Sequence, residues 1–159
     1  MTEKWNCNEG ARMIKTELAN RLQESGLFRE VKVTENGILC TCEPEKIRDV
    51  ARLMQSLGLR TVLTVEVVDF PRTRKFVLLY TFTSLEDPKL STVLVHVKTA
   101  VPRDRPEIDS IADIFPAADY FERECYEMFG VVFRGNEECK GTFFLDKSLE
   151  RAFPQRKRP

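Results

Sequence analysis

Asp119-Tyr120-Phe121-Glu122-Arg123-Glu124-Cys125-Tyr126-Glu127-Met128-Phe129-Gly130 packs charges and large apolar or aromatic side chains into one segment that ends on a glycine. The spacing predicts a helix from about Pro116 to Phe129, with Gly130 as its C-terminal stop. Ala117, Phe121, Cys125 and Met128 recur at helical intervals and are expected to face a core. Glu124 and Glu127 fall three apart on another flank. A carboxylate pair held in this way is either a salt-bridged surface or a docking feature. Arg123 and Glu127, spaced i, i+4, would add only about 0.3–0.5 kcal/mol as an exposed pair.

What such a helix packs on is read upstream. Asn8 is placed to cap a first helix to about Ser25, with Ala11, Ile14, Leu18 and Leu22 on one face and Gly26 past its end. Phe28 to Val33 and Ile38 to Cys42 flank Asn36-Gly37, a hairpin signal because both central residues tolerate positive φ. Pro44 suits the first turn of a second helix, whose stripe is Ile47, Val50, Ala51, Met54 and Leu57 and whose stop is Gly58. Three β-branched and aromatic runs follow: Arg60 to Asp69, Lys75 to Ser84 and Leu90 to Val97, punctuated by Pro71 and Asp87-Pro88. Leu63, Val65 and Val67 alternate with Val62, Thr64, Glu66 and Val68, as half-buried antiparallel strands do. Ala100 to Asp109, rich in proline and charge, reads as a loop, and Val131 to Phe133 as a short extended piece. The expected fold is α+β: an antiparallel sheet, hairpin plus meander, packed with two N-terminal helices, then a third helix. Residues 1–135 form that domain. Residues 136–159, with little periodicity but with Phe143, Phe144 and Phe153, are expected to be an extended C-terminal arm laid on a neighbour.

Composition bounds the function. At 159 residues the chain is one domain by length, large enough to bury roughly 70% of the surface its unfolded form exposes without a metal or disulfide staple. Lysine plus arginine equals aspartate plus glutamate, 25 of each, so no long-range field favours nucleic acid or anionic lipid. Only Arg151, Arg156, Lys157 and Arg158 gather into a basic tail. No run of residues is apolar enough to span a membrane, and Met1-Thr2-Glu3-Lys4-Trp5-Asn6 lacks the layout of a secretory signal. The expected compartment is the cytosol. Five irregularly spaced cysteines point to reduced thiols rather than a disulfide framework.

Each candidate chemistry has a plainer competitor. Glu124 and Glu127 in one cleft would have separated pKa values suited to acid/base work, yet charges on a helix are more often solvated or part of an interface. Cys40 and Cys42 are read as facing opposite sides of a strand, unable to share a tetrahedral metal, and no clustered set of thiolates for an iron–sulfur centre is seen. His96, the single histidine, sits among apolar neighbours as a half-buried sheet residue. No nucleophile elbow and no glycine-rich phosphate cradle is present. Phe76, Tyr80 and Phe82 share a strand face that would stack on RNA bases if it were open; core packing is the competing reading. With the basic tail, that face defines the alternative function, an RNA-binding α+β module.

A family likeness adds to these readings. Pro106, Ser110, Pro116, Ala118, the Glu122-Arg123-Glu124 triplet, Glu127, Met128, Phe129, Gly130, Phe133 and Gly135 make the stretch from Pro106 to Gly135 resemble the 30-kDa (C) subunit family of respiratory complex I, the NADH dehydrogenase. Its relatives in reduced-deazaflavin dehydrogenases and membrane-bound energy-converting hydrogenases share the pattern. Family members usually carry His or Lys after the glycine at Gly135, where this chain has Asn136. The resemblance implies a peripheral-arm subunit of an ion-translocating oxidoreductase, with no cofactor and no catalysis of its own. Iron–sulfur clusters and a flavin or nickel–iron centre would belong to its partners, the large (49-kDa or hydrogenase-large-like) and small cluster-bearing subunits. Contact with the membrane, on its cytoplasmic face, would come only through the complex. Glu122, Arg123, Glu124, Glu127, Phe129, Phe133, Phe143 and Arg156 are the residues expected to order and form the docking surface.

Overall fold

The computed structural model describes residues 7–158. Helix α1 (Cys7–Glu24) leads into the hairpin β1 (Phe28–Thr34) and β2 (Gly37–Cys42), a 3-10 turn at Pro44–Lys46, and α2 (Ile47–Ser56). Three strands follow, β3 (Thr61–Phe70), β4 (Lys75–Thr83) and β5 (Val95–Pro102), then β6 (Glu107–Asp109), α3 (Ala118–Phe129) and β7 (Val132–Arg134). The α+β class is as expected. Asn8 lies inside the described part of α1 rather than ahead of it.

The five-stranded sheet has the order β1-β2-β5-β4-β3. It is mixed, not purely antiparallel, because β2 pairs in parallel with β5 through Ile38↔Val95 to Thr41↔Lys98. The chain order explains this. Helix α2 carries the chain back to the starting end of the sheet, so β3 runs in the same direction as β2, and two antiparallel steps then bring β5 alongside β2 in that direction. The hairpin and the meander are both present, and a parallel seam joins them.

Several boundaries shift for local reasons. The hairpin turn is Glu35-Asn36, since Thr34 pairs with Gly37, and neither turn residue has positive φ. Gly37 is needed for a close approach instead: a Cβ there would run into the Leu94 carbonyl, which accepts the Ile38 amide at 2.8 Å. The third meander strand begins at Val95 rather than Leu90. Asp87 caps a turn by accepting from the Lys89 amide at 2.8 Å, and Leu90 and Ser91 bond back to its carbonyl. The strand then continues through Ala100–Pro102, where proline and charge predict a loop, and β6 pairs in parallel with β7. A bulge between Val62 and Thr64 resets the phase of β3. Its inward side chains are therefore Val62 before the bulge and Val65, Val67 and Asp69 after it, and Leu63 is exposed.

The helices gather on the face where Phe76, Leu78, Tyr80 and Phe82 are completely buried. Phe129 meets Phe76 edge-on and Phe115 packs on Phe82. Bases have no access to these rings, so core packing is their role. Cys40 and Cys42 are both buried on this same face. Opposite-face placement does not hold, because side chains two apart on a pleated strand point the same way. Burial pushes the Cys40 thiol up to about 12 and the Cys42 thiol up to about 11. Among the described residues no group of three His, Cys, Asp or Glu is placed to hold a metal ion, and no helix is long and apolar enough to cross a membrane. His96 is half-buried on the outer face beside Thr81, at 3.0 Å, and burial lowers its pKa.

Candidate functional site on helix α3

The face that α3 turns to the core is Ala118, Glu122, Cys125 and Phe129. It is offset from the expected stripe: Ala117 is exposed and Phe121 and Met128 are only half-buried. A glutamate takes the place of an apolar residue in the inner face because its acceptors are used. Glu122 receives the Ser110 hydroxyl at 2.6 Å, the Ile111 amide at 2.9 Å and the Asn136 side-chain amide at 2.8 Å. Burial pushes its pKa up, and the three donors pull against that shift. Where the family resemblance would place a basic residue, Asn136 thus supplies an uncharged donor, which also reaches Asp119 at 3.0 Å.

Glu127 does for the C-terminal arm what Glu122 does for the 110–111 loop. Its carboxylate accepts the amides of Phe143, Phe144 and Leu145 at 2.7, 2.8 and 2.8 Å. Burial would raise its pKa, but the three amides outweigh that and hold it below the usual carboxylate range. Arg123 pairs with Asp119 at 3.6 Å rather than with Glu127, and lies 3.6 Å over the Phe143 ring. Tyr120 meets the same Phe143 ring edge-on, with ring centroids 5.5 Å apart.

A second anchor lies just beyond Glu127, where α3 ends. Gly130 ends the helix in the left-handed region, φ 73°, its amide bonded to the Tyr126 carbonyl at 2.7 Å. A Cβ at Gly130 would stand 2.8 Å from Arg156 and from the Phe153 ring. Arg156 donates to the Phe129 carbonyl at 2.6 Å and stacks on Phe76 and Phe153. Asp69, at 1% exposure, takes Arg103 in a two-pronged pair at 2.9 and 3.1 Å and the Lys157 amide at 2.8 Å. Burial would raise the Asp69 pKa, and these donors bring it below its ordinary value. The arm is therefore bound to its own domain at 143–145 and at 153–157.

Of the residues singled out from sequence, Glu122, Glu127, Phe129 and Phe133 are buried in the chain's own fold, and Arg123, Phe143 and Arg156 are half-buried at its surface. Glu124 is exposed. Glu127 is fully engaged by backbone amides while Glu124 points outward, so the two do not form an acid/base pair. Sequence reasoning missed Asp69, Arg103 and Asn136. An aspartate inside a valine-rich strand was the available signal for Asp69, since a strand core rarely holds an unpaired carboxylate.

The sequence model of one family, described as "Respiratory-chain NADH dehydrogenase, 30 Kd subunit", matches residues 40–158. The chain is similar to the C subunit of the F(420)H(2) dehydrogenase of Methanosarcina mazei, 30% identical over 108 residues that make up 67% of this chain and 66% of that one. It is also similar to the C subunit of the NADH-quinone oxidoreductase of Xanthobacter autotrophicus, 36% identical across 73% of this chain and 55% of the other. The chain thus spans about two thirds of the first relative and little more than half of the second. Among solved structures, a chain of the membrane-bound sulfane sulfur reductase, an archaeal respiratory membrane complex, superposes with a TM-score of 0.78 at 30% identity, over 89% of this chain and 82% of that one. The trypsin-resistant fragment of Nqo5 shares the fold, with a TM-score of 0.65 at 20% identity over 77% of this chain and 97% of that one.

Proposed function

The chain belongs to the family of the 30-kDa subunit of respiratory-chain NADH dehydrogenase, and from that premise we propose that it is a cofactor-free peripheral-arm subunit of a complex I-like membrane oxidoreductase. In this reading it docks and rigidifies the large and small redox subunits, so that electron transfer between their centres stays coupled to ion translocation. It reaches the cytoplasmic face of the membrane only through them. The isolated chain carries no catalysis of its own.

The observation that supports the reading is the use made of α3's carboxylates. Glu122 and Glu127 each hold three donors from segments outside the helix, so loop, helix and arm form one stiff body. Centres that exchange electrons must be held at fixed separations, and a clamp with locked rotamers provides this without reactivity. The test is purification from the host's membranes through a tag on this chain. A hydrogenase-like large subunit and a cluster-bearing small subunit should copurify in equal amounts with it. A chain that comes alone and turns over a small molecule unaided would refute the proposal.

A further inference from the structure

Helix α3 carries a second apolar flank beside its core face, and this chain covers that flank only in part. Ala118, Cys125 and Phe129 are buried, whereas Ala117 is exposed and Phe121 and Met128 are half-exposed. A helix that is apolar on both sides belongs between two layers. The outer face borders a groove of about 360 Å³ whose other wall is β3, with Thr64, Glu66 and Val68. Strand β3 is an edge of the sheet, and apart from the Cys125 thiol at the Val65 carbonyl no group among the described residues bonds to its free side. Glu66 stands on one wall and Glu124 on the other, both exposed and neither in an ion pair among the described residues. Lys98 lies in the same cross-strand row as Glu66, two strands away.

We propose that this groove seats a basic and apolar segment of a sister subunit, which places a lysine or arginine between Glu66 and Glu124 and apolar side chains on Phe121, Met128 and Val68. The inference rests on the subunit reading above and adds the chemistry of the partner. Drying the groove with an acidic or wholly apolar segment would strip water from two carboxylates without compensation. A second copy of this chain would bring the same carboxylates face to face across a two-fold axis. A cationic segment satisfies both walls with one side chain, and close charge pairs of this kind set register and partner choice.

The test uses the tagged chain in the membrane-extracted complex. Glu66→Lys with Glu124→Lys should lower recovery of sister subunits at least about tenfold, while the isolated variant unfolds at the wild-type temperature. Glu66→Gln with Glu124→Gln should fall between the two. A photocrosslinker in place of Met128 should attach to a lysine- or arginine-bearing segment of one sister subunit. Undiminished recovery with the double lysine variant, or crosslinks from this chain to itself, would overturn the inference while leaving the subunit reading intact. A wild-type chain that brings down no sister subunit would overturn both.

Discussion

Two glutamates five positions apart on one helix are pushed in opposite directions by their surroundings. Glu122 is shut away from water and its pKa rises; Glu127 meets three amides that outweigh its burial, and its pKa falls. The consequences for stability have opposite signs. A carboxyl whose folded value lies below its unfolded one contributes fully above the unfolded value of about 4.3 and loses that contribution as pH falls through the folded value. Amide-hydrogen protection at Phe143, Phe144 and Leu145 is accordingly expected to stay level from neutral pH to about 5 and to collapse under stronger acid. Glu122 works the other way: its ionisation in the folded state costs stability as pH rises through its raised value, so acid does not loosen the 110–111 loop. Glu127→Ala should reproduce the acid effect at neutral pH. The three amides then turn to water instead of remaining buried and unpaired, which would cost about 1–3 kcal/mol each. The arm is released while the sheet keeps its protection. That these glutamates mattered was legible in the sequence. Which donors they hold was not, because Ser110, Asn136 and Phe143 lie 12, 14 and 16 residues away along the chain, and local spacing carries no information about such contacts.

Helix α3 exists because its residues favour it, but which side it buries is decided by what lies beside it. Judged by periodicity, Ala117, Phe121, Cys125 and Met128 form as good an inner stripe as Ala118, Cys125 and Phe129. The second set faces the core because Val65, Phe76 and Tyr80 are there to receive it, and because Glu122 finds donors on that side. Elements with a single apolar stripe leave no such choice: α2 buries Ile47, Val50, Ala51 and Met54 as its spacing predicts. The end of α3 is equally constrained. Gly130→Ala places a side chain in a left-handed conformation and drives a methyl group into Arg156 and Phe153. The expected result is a loss of about 1–2 kcal/mol, with limited proteolysis appearing first between Phe153 and Lys157. Unchanged resistance in that segment would show that the arm does not depend on the close approach.

Across the whole molecule, Asp69 ties together parts of the chain that sequence keeps far apart: strand β3, Arg103 beyond β5, and Lys157 in the arm. Removing one member of a buried ion pair strands the other, so Asp69→Asn is expected to cost about 3 kcal/mol. For a domain of this size that lowers the unfolding midpoint by roughly 6–12 °C, measurable by calorimetry. The three helices, the presence of a hairpin and the central runs of the long strands were set by the chain's own periodicities, since these act over a few neighbours, whereas the hairpin's turn residues, the ends of β5 and the strand β6 were not. The family likeness was likewise local, carried by residues close together in sequence. Tertiary structure alone decided the parallel seam between β2 and β5, the bulge that turns Asp69 inward, the face α3 presents to the core, and the return of the arm onto its own domain. Each of those depends on contacts between segments distant along the chain, whose free energy exists only once the sheet has brought them together.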